Sequence, residues 1–446
     1  ARNNLGSTQL RQGKLKEAEE NFRTAIFKLN HYLVYSNLFL TMQYQSELKQ
    51  KDWQEMLENF NQHLSVLKEL KKYTNQSLPD KKLRIGYISP DFKKHSCAWF
   101  IEPLLSHHNK DKIEFFCYSD VINQDSVTNN FKNIANHWRD IHGSSDEKVA
   151  ELVYNDNIDI LVDLAGHTAK NRLGVFAKKP APVQVTWLGF PASTGLKTID
   201  YKLSDRWLTP ENMEEYFSET IWNLERVAHC YKIPDNAPEI NTLPFLENGF
   251  ITFGSFNNLT KVTKETIALW SGVLRSVSGS KLIIKAKQSS EQQVQKRIIS
   301  WFKENGINSQ AIIFMGKDKT TEEHLKNYHL VDIALDTYPY NGATTTLEAL
   351  WMGVPVISLV GNRSASRYGL AFLNAVNLGK FAVSTPEEFV KTALELTENI
   401  DYLKSLRHDL RNILRNSSIC NIEDFAHNVE VAYRRMWIKW CKLKTL

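Results

Sequence analysis

The stretch Leu335–Ser358, LDTYPYNGATTTLEALWMGVPVIS, holds the residue pattern with the clearest chemical use. It reads as the end of a strand, a tight turn, a helix and a second strand. Pro339 and Gly342 mark the turn, and Thr344, Thr345 and Thr346 can cap a helix running through Leu347, Leu350 and Trp351. Gly353 and Pro355 end it. A helix start at the carboxyl edge of a parallel sheet offers free backbone N–H groups, here beside hydroxyls, and so makes an anion site suited to a diphosphate. The same pattern also serves ordinary strand-to-helix connections. Two histidines stand at comparable places. His95 lies in SPDFKKHS, after the first strand of the alternating region, where an imidazole can accept a proton from an acceptor hydroxyl. His167 lies in GHT, after the strand IDILVDLAG, and is expected to face the cleft. Gly166 beside it permits close approach of backbone to a ligand.

The elements that must position these residues follow from the apolar runs. From Lys82 onward strands and helices alternate. LRIGYIS (83–89), EFFCYS (114–119), IDILVDLAG (158–166), VQVTWLG (183–189) and YKLSD (201–205) form one series. ITFGSF (251–256), KLIIKAK (281–287), AIIFMG (311–316), DIALDT (332–337) and VPVISLV (354–360) form the next. Continuous apolar runs of this length suit strands buried on both faces of a parallel sheet. Helices are expected at 146–154, 264–277, 386–397 and 421–440, and residues 232–249, rich in Pro, at the link between the series. The fold class is α/β, with two doubly wound domains facing across a cleft and ligands at the carboxyl ends of strands.

Composition bounds the function. The 446 residues carry 42% hydrophobic and 11% aromatic residues, enough for roughly two to four domains. A net charge of +5, from 55 basic and 50 acidic residues, is too mild to argue for nucleic acid or a membrane surface as partner. The cysteines at 97, 117, 230, 420 and 441 lack CxxC spacing and read as reduced thiols of a cytoplasmic protein. No apolar run approaches the length of a membrane-spanning helix.

Residues 5–30, LGSTQLRQGKLKEAEENFRTAIFKLN, place Gly6, Ala18, Phe22 and Ala25 at the small and aromatic positions of a tetratricopeptide helix pair. Gln9 and Asn30 depart from that pattern. The next period, with Phe39, Leu40, Asp52 and Met56, is weak and reads as a degenerate capping pair joined to the catalytic part. A single repeat cannot bury its faces alone, so the pair is expected to end a longer array.

With LRIGYISPDFKKH, LVDLAGHT, PAPVQVTWLGFPASTG, FGSFNNLTK and NGATTTLEALWMGVP in this order behind such helices, the chain resembles the protein O-GlcNAc transferase and SPINDLY family, glycosyltransferase family 41. The resemblance covers about residues 80 to 440. It implies a GT-B fold and an inverting, metal-independent glycosyltransferase acting on Ser/Thr hydroxyls of proteins. The resemblance alone does not choose the sugar; UDP-GlcNAc is the favoured donor and GDP-fucose, as in SPINDLY-type members, the alternative. Acceptor proteins are expected to be guided by the TPR helices. The implied division is 1–78 TPR-like helices, 79–240 an N-terminal Rossmann-like catalytic domain, 241–420 a C-terminal Rossmann-like nucleotide-sugar-binding domain, and 421–446 a helix packing back across the domains.

Residue by residue, a D-x-D carboxylate pair, the usual metal holder of glycosyltransferases, is absent from the sequence. A leaving diphosphate then needs a cation and a helix N-terminus. Lys261, after ITFGSF and its NNLT turn, is that cation, expected in a solvated cleft, and it matches the family's diphosphate-contacting lysine. His95 matches a histidine proposed as base in animal members, the alternative being that it positions sugar or acceptor. His324 matches a histidine that stacks on the base of the donor, Glu348 an acid that binds its ribose, and Asn258 a glutamine near the diphosphate. Ala343, Thr344 and Thr345 complete the donor side, and His167 the acceptor or sugar side. Ala343 and Thr321 replace a histidine and a lysine of animal members, which removes polar groups around the nucleotide. Arg367 matches a family motif or anchors the final helix. A nucleotide-sugar epimerase and a noncatalytic scaffold are the other classes; the helical pair argues against the first, and Lys261, His95 and Glu348 together against the second.

Overall fold

The computed structural model describes residues 1–29, 31–65 and 72–444. Asn30 of the expected repeat, residues 66–71 of the first expected region and residues 445–446 of the last lie outside them.

Helices Arg2–Arg11 and Leu15–Leu29 form a hairpin, because Gly13, in the left-handed region at φ +69°, reverses the chain between them. The close approach expected at Gly6 is present: a Cβ there would stand 2.8 Å from the Phe22 ring. Helices Tyr32–Gln43 and Gln50–Ser65 follow. Their Phe39, Trp53 and Phe60 rings meet edge to face at 5.2 and 5.5 Å. They share one core with Phe190, Leu196 and Ile199 of the alternating region. The Trp53 indole N–H donates to the Tyr216 carbonyl at 3.0 Å.

Two all-parallel sheets carry the rest. The first contains β1 (Leu83–Ser89), β2 (Ile113–Ser119), β3 (His137–Asp140), β4 (Ile160–Asp163), β5 (Val183–Thr186), β6 (Tyr201–Asp205) and β7 (Thr220–Leu224), in the order β3-β2-β1-β4-β5-β6-β7. The second contains β8 (Thr252–Ser255), β9 (Lys281–Lys285), β10 (Ile312–Met315), β11 (Ile333–Leu335), β12 (Val356–Leu359) and β13 (Ala382–Val383), in the order β10-β9-β8-β11-β12-β13. β3, β7 and β13 are additions to the sequence reading, and each is an edge strand. In both sheets the strand order reverses once, between β1 and β4 and between β8 and β11. A doubly wound sheet opens a crevice outside the carboxyl ends at such a reversal. The segments leaving those four strands are Pro90–Cys97, Leu164–His167, Phe256–Lys261 and Asp336–Ala343, which hold the sequence-predicted site residues other than His324, Thr344, Thr345 and Glu348.

The segment expected as a link is extended, with one short helix, Phe245–Asn248, closed by Gly249. The final helix, Ile422–Lys444, returns to the first sheet and buries Phe425, Val429, Tyr433 and Trp437 in its core. Arg367 does not anchor it; that guanidinium donates to the carbonyls of Trp207 at 2.6 Å and Gly361 at 3.0 Å and so ties the two sheets together. Among the described residues no helix is long and apolar enough to cross a membrane.

Trp437 is fully buried, and its indole N–H donates to the Leu78 carbonyl at 3.0 Å. Trp437→Ala therefore removes a large apolar side chain and a hydrogen bond, at a cost of about 3–5 kcal/mol. A clear fall in the urea midpoint is the expected result; an unchanged midpoint contradicts the packing of this helix.

Candidate active site

The donor side is built on Asp336, at the end of β11. Its carboxylate is buried and accepts the N–H of Thr337 at 2.8 Å, the N–H of Gly342 at 2.7 Å and the Ser358 hydroxyl at 2.7 Å. Burial raises its pKa to about 6, against the pull of those donors and of Lys261. The turn it closes is held from other sides too. The Trp270 indole N–H donates to the Asp336 carbonyl at 3.1 Å, and the hydroxyls of Thr263 and Thr266 donate to the Tyr338 carbonyl at 3.0 and 2.6 Å. The Asn341 amide donates to the Thr337 carbonyl at 2.9 Å.

The helix after this turn is Thr344–Trp351, and its N-cap is Ala343, with no side-chain cap. The threonines expected to cap it occupy its first turn instead. Thr346 bonds back to the Gly342 carbonyl at 3.1 Å, while the Thr345 hydroxyl donates to the Asn257 side-chain oxygen at 3.0 Å. An uncapped first turn keeps its N–H groups available to an anion.

Lys261 ends a short 3-10 turn after β8. Its ammonium donates to the Asn341 carbonyl at 2.6 Å and lies 4.3 Å from the centre of the Tyr340 ring. It is half-buried, not standing in open solvent, and burial lowers its pKa to about 8 with Asp336 opposing. The cation is thus already aimed at the turn, on the Asn341 carbonyl. Asn258, its neighbour, caps the 3-10 turn by accepting the Thr260 N–H at 3.0 Å and also accepts from Gln288 at 2.8 Å. Asn257, which sequence reasoning passed over, is the asparagine that reaches the threonine turn.

On the far side of the helix start stands a polar chain. The Lys285 ammonium lies 2.6 Å from Asp318 and 2.8 Å from His324 Nδ1, and His324 Nε2 lies 3.0 Å from the largely buried Glu348. A lysine donor on Nδ1 leaves Nε2 to carry the proton towards Glu348. Phe256 and Tyr328 flank the imidazole at ring distances of 5.9 and 6.1 Å. Lys285 and Asp318 are further residues missed in the sequence; their separation along the chain hides a contact that the parallel pairing of β9 and β10 creates.

Across the cleft, His95 is exposed in the segment after β1. Its Nδ1 accepts the Cys97 N–H at 3.2 Å and lies 3.6 Å from Asp91. In that arrangement the proton is on Nε2. Proton uptake through Nε2 requires the tautomer in which Nδ1–H faces Asp91. Burial holds the Asp91 carboxyl above its ordinary pKa, while His95, Lys93 and Lys170 pull it down.

His167 does not face the cleft. It is 1% exposed, with Nε2 2.8 Å from the Thr194 carbonyl and Nδ1 2.9 Å from the Ser36 hydroxyl, among the rings of Phe39, Phe60 and Phe190. Burial lowers its pKa to about 3, so it is a neutral rivet between the helices and the first sheet. Gly166 likewise makes room for Phe190, whose Cβ stands 2.4 Å from where a Gly166 Cβ would lie, and not for a ligand.

This geometry has relatives. The family model for glycosyl transferase family 41 matches residues 40–243 and 239–429. A Hordeum vulgare protein named as a probable UDP-N-acetylglucosamine–peptide N-acetylglucosaminyltransferase SPINDLY is 39% identical over 373 residues, 83% of this chain and 40% of that protein. An Arabidopsis thaliana protein named as the corresponding SEC transferase is 30% identical over 376 residues, 81% of this chain and 38% of that protein. The chain spans about 40% of the length of the curated relatives it matches. A solved mutant of the Thermobaculum terrenum O-GlcNAc transferase is 30% identical with a TM-score of 0.94, covering 99% of this chain and 85% of that one. Its two domains and preceding helices are therefore arranged as here, in the GT-B manner.

A lysine with a pKa of about 8 carries its charge below that pH and loses it above. UDP binding, measured by calorimetry from about pH 7 to 9, where its terminal phosphate is already ionised, is expected to weaken as the pH passes about 8. In Lys261→Arg the guanidinium stays charged and the drop should vanish. A flat profile in the unaltered protein contradicts the assignment of Lys261 to the anion.

Proposed function

The chain belongs to glycosyltransferase family 41, and we propose that it moves a sugar from a nucleotide sugar to Ser/Thr hydroxyls of proteins, inverting the anomeric carbon without a metal. The observation that carries this reading is the pairing of Lys261 with the uncapped first turn at Thr344 and Thr345, both set by the turn that Asp336 closes. Charge develops on the leaving diphosphate, and fixed donors aimed at that place stabilise it without reorganising. His95 takes the acceptor proton, with Asp91 behind its other ring nitrogen. His324 stacks on the nucleobase, Glu348 accepts the ribose hydroxyls, and Asn258 and Ala343 border the diphosphate. His167 has no part in this scheme; it positions the helices on which acceptor proteins are guided.

GlcNAc from UDP-GlcNAc is the favoured donor, supported by the donor and peptide acceptor in the names of the plant relatives. GDP-fucose is the second reading, since the small side chains of Ala343 and Thr321 leave room for a purine. Cys97, Cys117, Cys230 and Cys420 are free thiols, which fits work in the cytoplasm.

The test is transfer to protein acceptors from UDP-GlcNAc and GDP-fucose, followed by mass spectrometry, in excess EDTA. GlcNAc transfer that survives the chelator is expected, and Lys261→Ala should lower turnover about 100-fold in a folded protein. Product from GDP-fucose alone moves the assignment to the second reading. Activity lost to EDTA and restored by magnesium removes the metal-free account.

A further inference from the structure

We propose that Asp91, His95 and Cys97 form a binding site for a thiophilic divalent ion of the zinc type, and that its occupancy blocks the His95 imidazole. The second clause rests on the role given to His95 above; the first does not. One carboxylate oxygen, one imidazole nitrogen and one thiol sulfur lie within 4.8 Å of one another. They come from a single turn between β1 and the helix Ala98–Ser106, in the spacing D-x3-H-x-C.

Zinc takes such O, N and S donors at about 2.0–2.3 Å, with three protein ligands and an open fourth position. The His95 ring is exposed, and closing the 4.8 Å spread to that geometry asks for side-chain rotation. Nδ1 gives up the Cys97 N–H at 3.2 Å and offers its lone pair to the ion. The thiol loses its proton to solvent as the metal–sulfur bond forms. A thiolate in the set favours zinc, cobalt or cadmium over magnesium or calcium. Lys93 and Lys170 near Asp91 oppose a cation and weaken its binding.

The ion would sit in the cleft. The thiol is within electrostatic reach of Tyr340 and Tyr368, buried phenols of the second domain, and Tyr340 is the ring under Lys261. With His95 as the base, metal at this turn takes the ring that an acceptor hydroxyl would meet. The three positions were separate in the sequence reading: His95 stood for the base, Cys97 was one of five scattered thiols, and Asp91 had no role.

Cobalt titration of untagged protein tests the site without any transfer reaction. A thiolate-to-cobalt absorption band is expected, lost in Cys97→Ser and displaced by zinc but not by magnesium. Zinc affinity by calorimetry should fall at least tenfold in Cys97→Ser and in His95→Ala, with circular dichroism reporting an intact fold. No thiolate band, or equal zinc affinity in all three proteins, overturns the site. In a transfer assay freed of metal and then titrated with zinc, activity should fall over the range that displaces cobalt, and Cys97→Ser should need at least tenfold more zinc. A cobalt band without inhibition keeps the site and overturns His95 as the base.

Discussion

A single buried carboxylate sets the geometry on which the candidate site depends. Asp336 accepts two backbone amides from a turn of only six residues and a hydroxyl from the neighbouring strand. Leaving such amides buried and unpaired costs about 1–3 kcal/mol each, so the carboxylate selects one turn conformation. That conformation presents the Asn341 carbonyl to the Lys261 ammonium and starts a helix with no side-chain cap. The cost is electrostatic: burial pushes the carboxyl pKa to about 6 and the ammonium pKa down to about 8. An opposed pair of this kind is charged at neutral pH, because each group supports the ionised form of the other. A diphosphate entering the site would take over the neutralisation of Lys261 from a carbonyl dipole.

The helices before the sheets are part of the same frame. The Tyr44 ring, at the end of the third helix, stacks on Tyr340 at 5.2 Å, and Tyr340 lies under Lys261. The largely buried Arg363 donates to the carbonyls of Met42 and Gln45, and burial lowers its pKa to about 10. His167 and Ser36 fasten the same helix to the first sheet. One helix thus touches both domains at the rim of the cleft. A cavity of about 990 Å3 lies among these helices, between Arg23, Tyr32, Tyr35, Glu55, His63 and Asp146, away from the donor turn.

Much of this was legible because central parallel strands and glycine- or proline-marked turns write themselves into sequence. β1, β2 and β6 were read to the residue or nearly so, since both their faces are buried. β3, HWRD, and β7, TIWNL, were not seen because an edge strand needs only one partner and keeps half-exposed, polar residues. The turn at Asp336 showed through Pro339 and Gly342, but Asp336 itself reads as any acid after a strand; its value lies in bonds to positions one, six and twenty-two residues on. His167 was misplaced for a related reason. A strand end points at the cleft, yet a helix more than 120 residues upstream covers this one. Asn257 and Asn258 are adjacent and chemically identical, and only the backbone decides which reaches Thr345.

The central claim is that Asp336 organises the diphosphate site. Calorimetric titration of UDP and GDP into Asp336→Asn, beside the unaltered protein, addresses it directly, because the substitution keeps the shape and removes the charge and one acceptor. The account predicts a folded variant whose affinity for the preferred nucleotide is at least tenfold weaker. A folded variant that binds as tightly as the unaltered protein would contradict it.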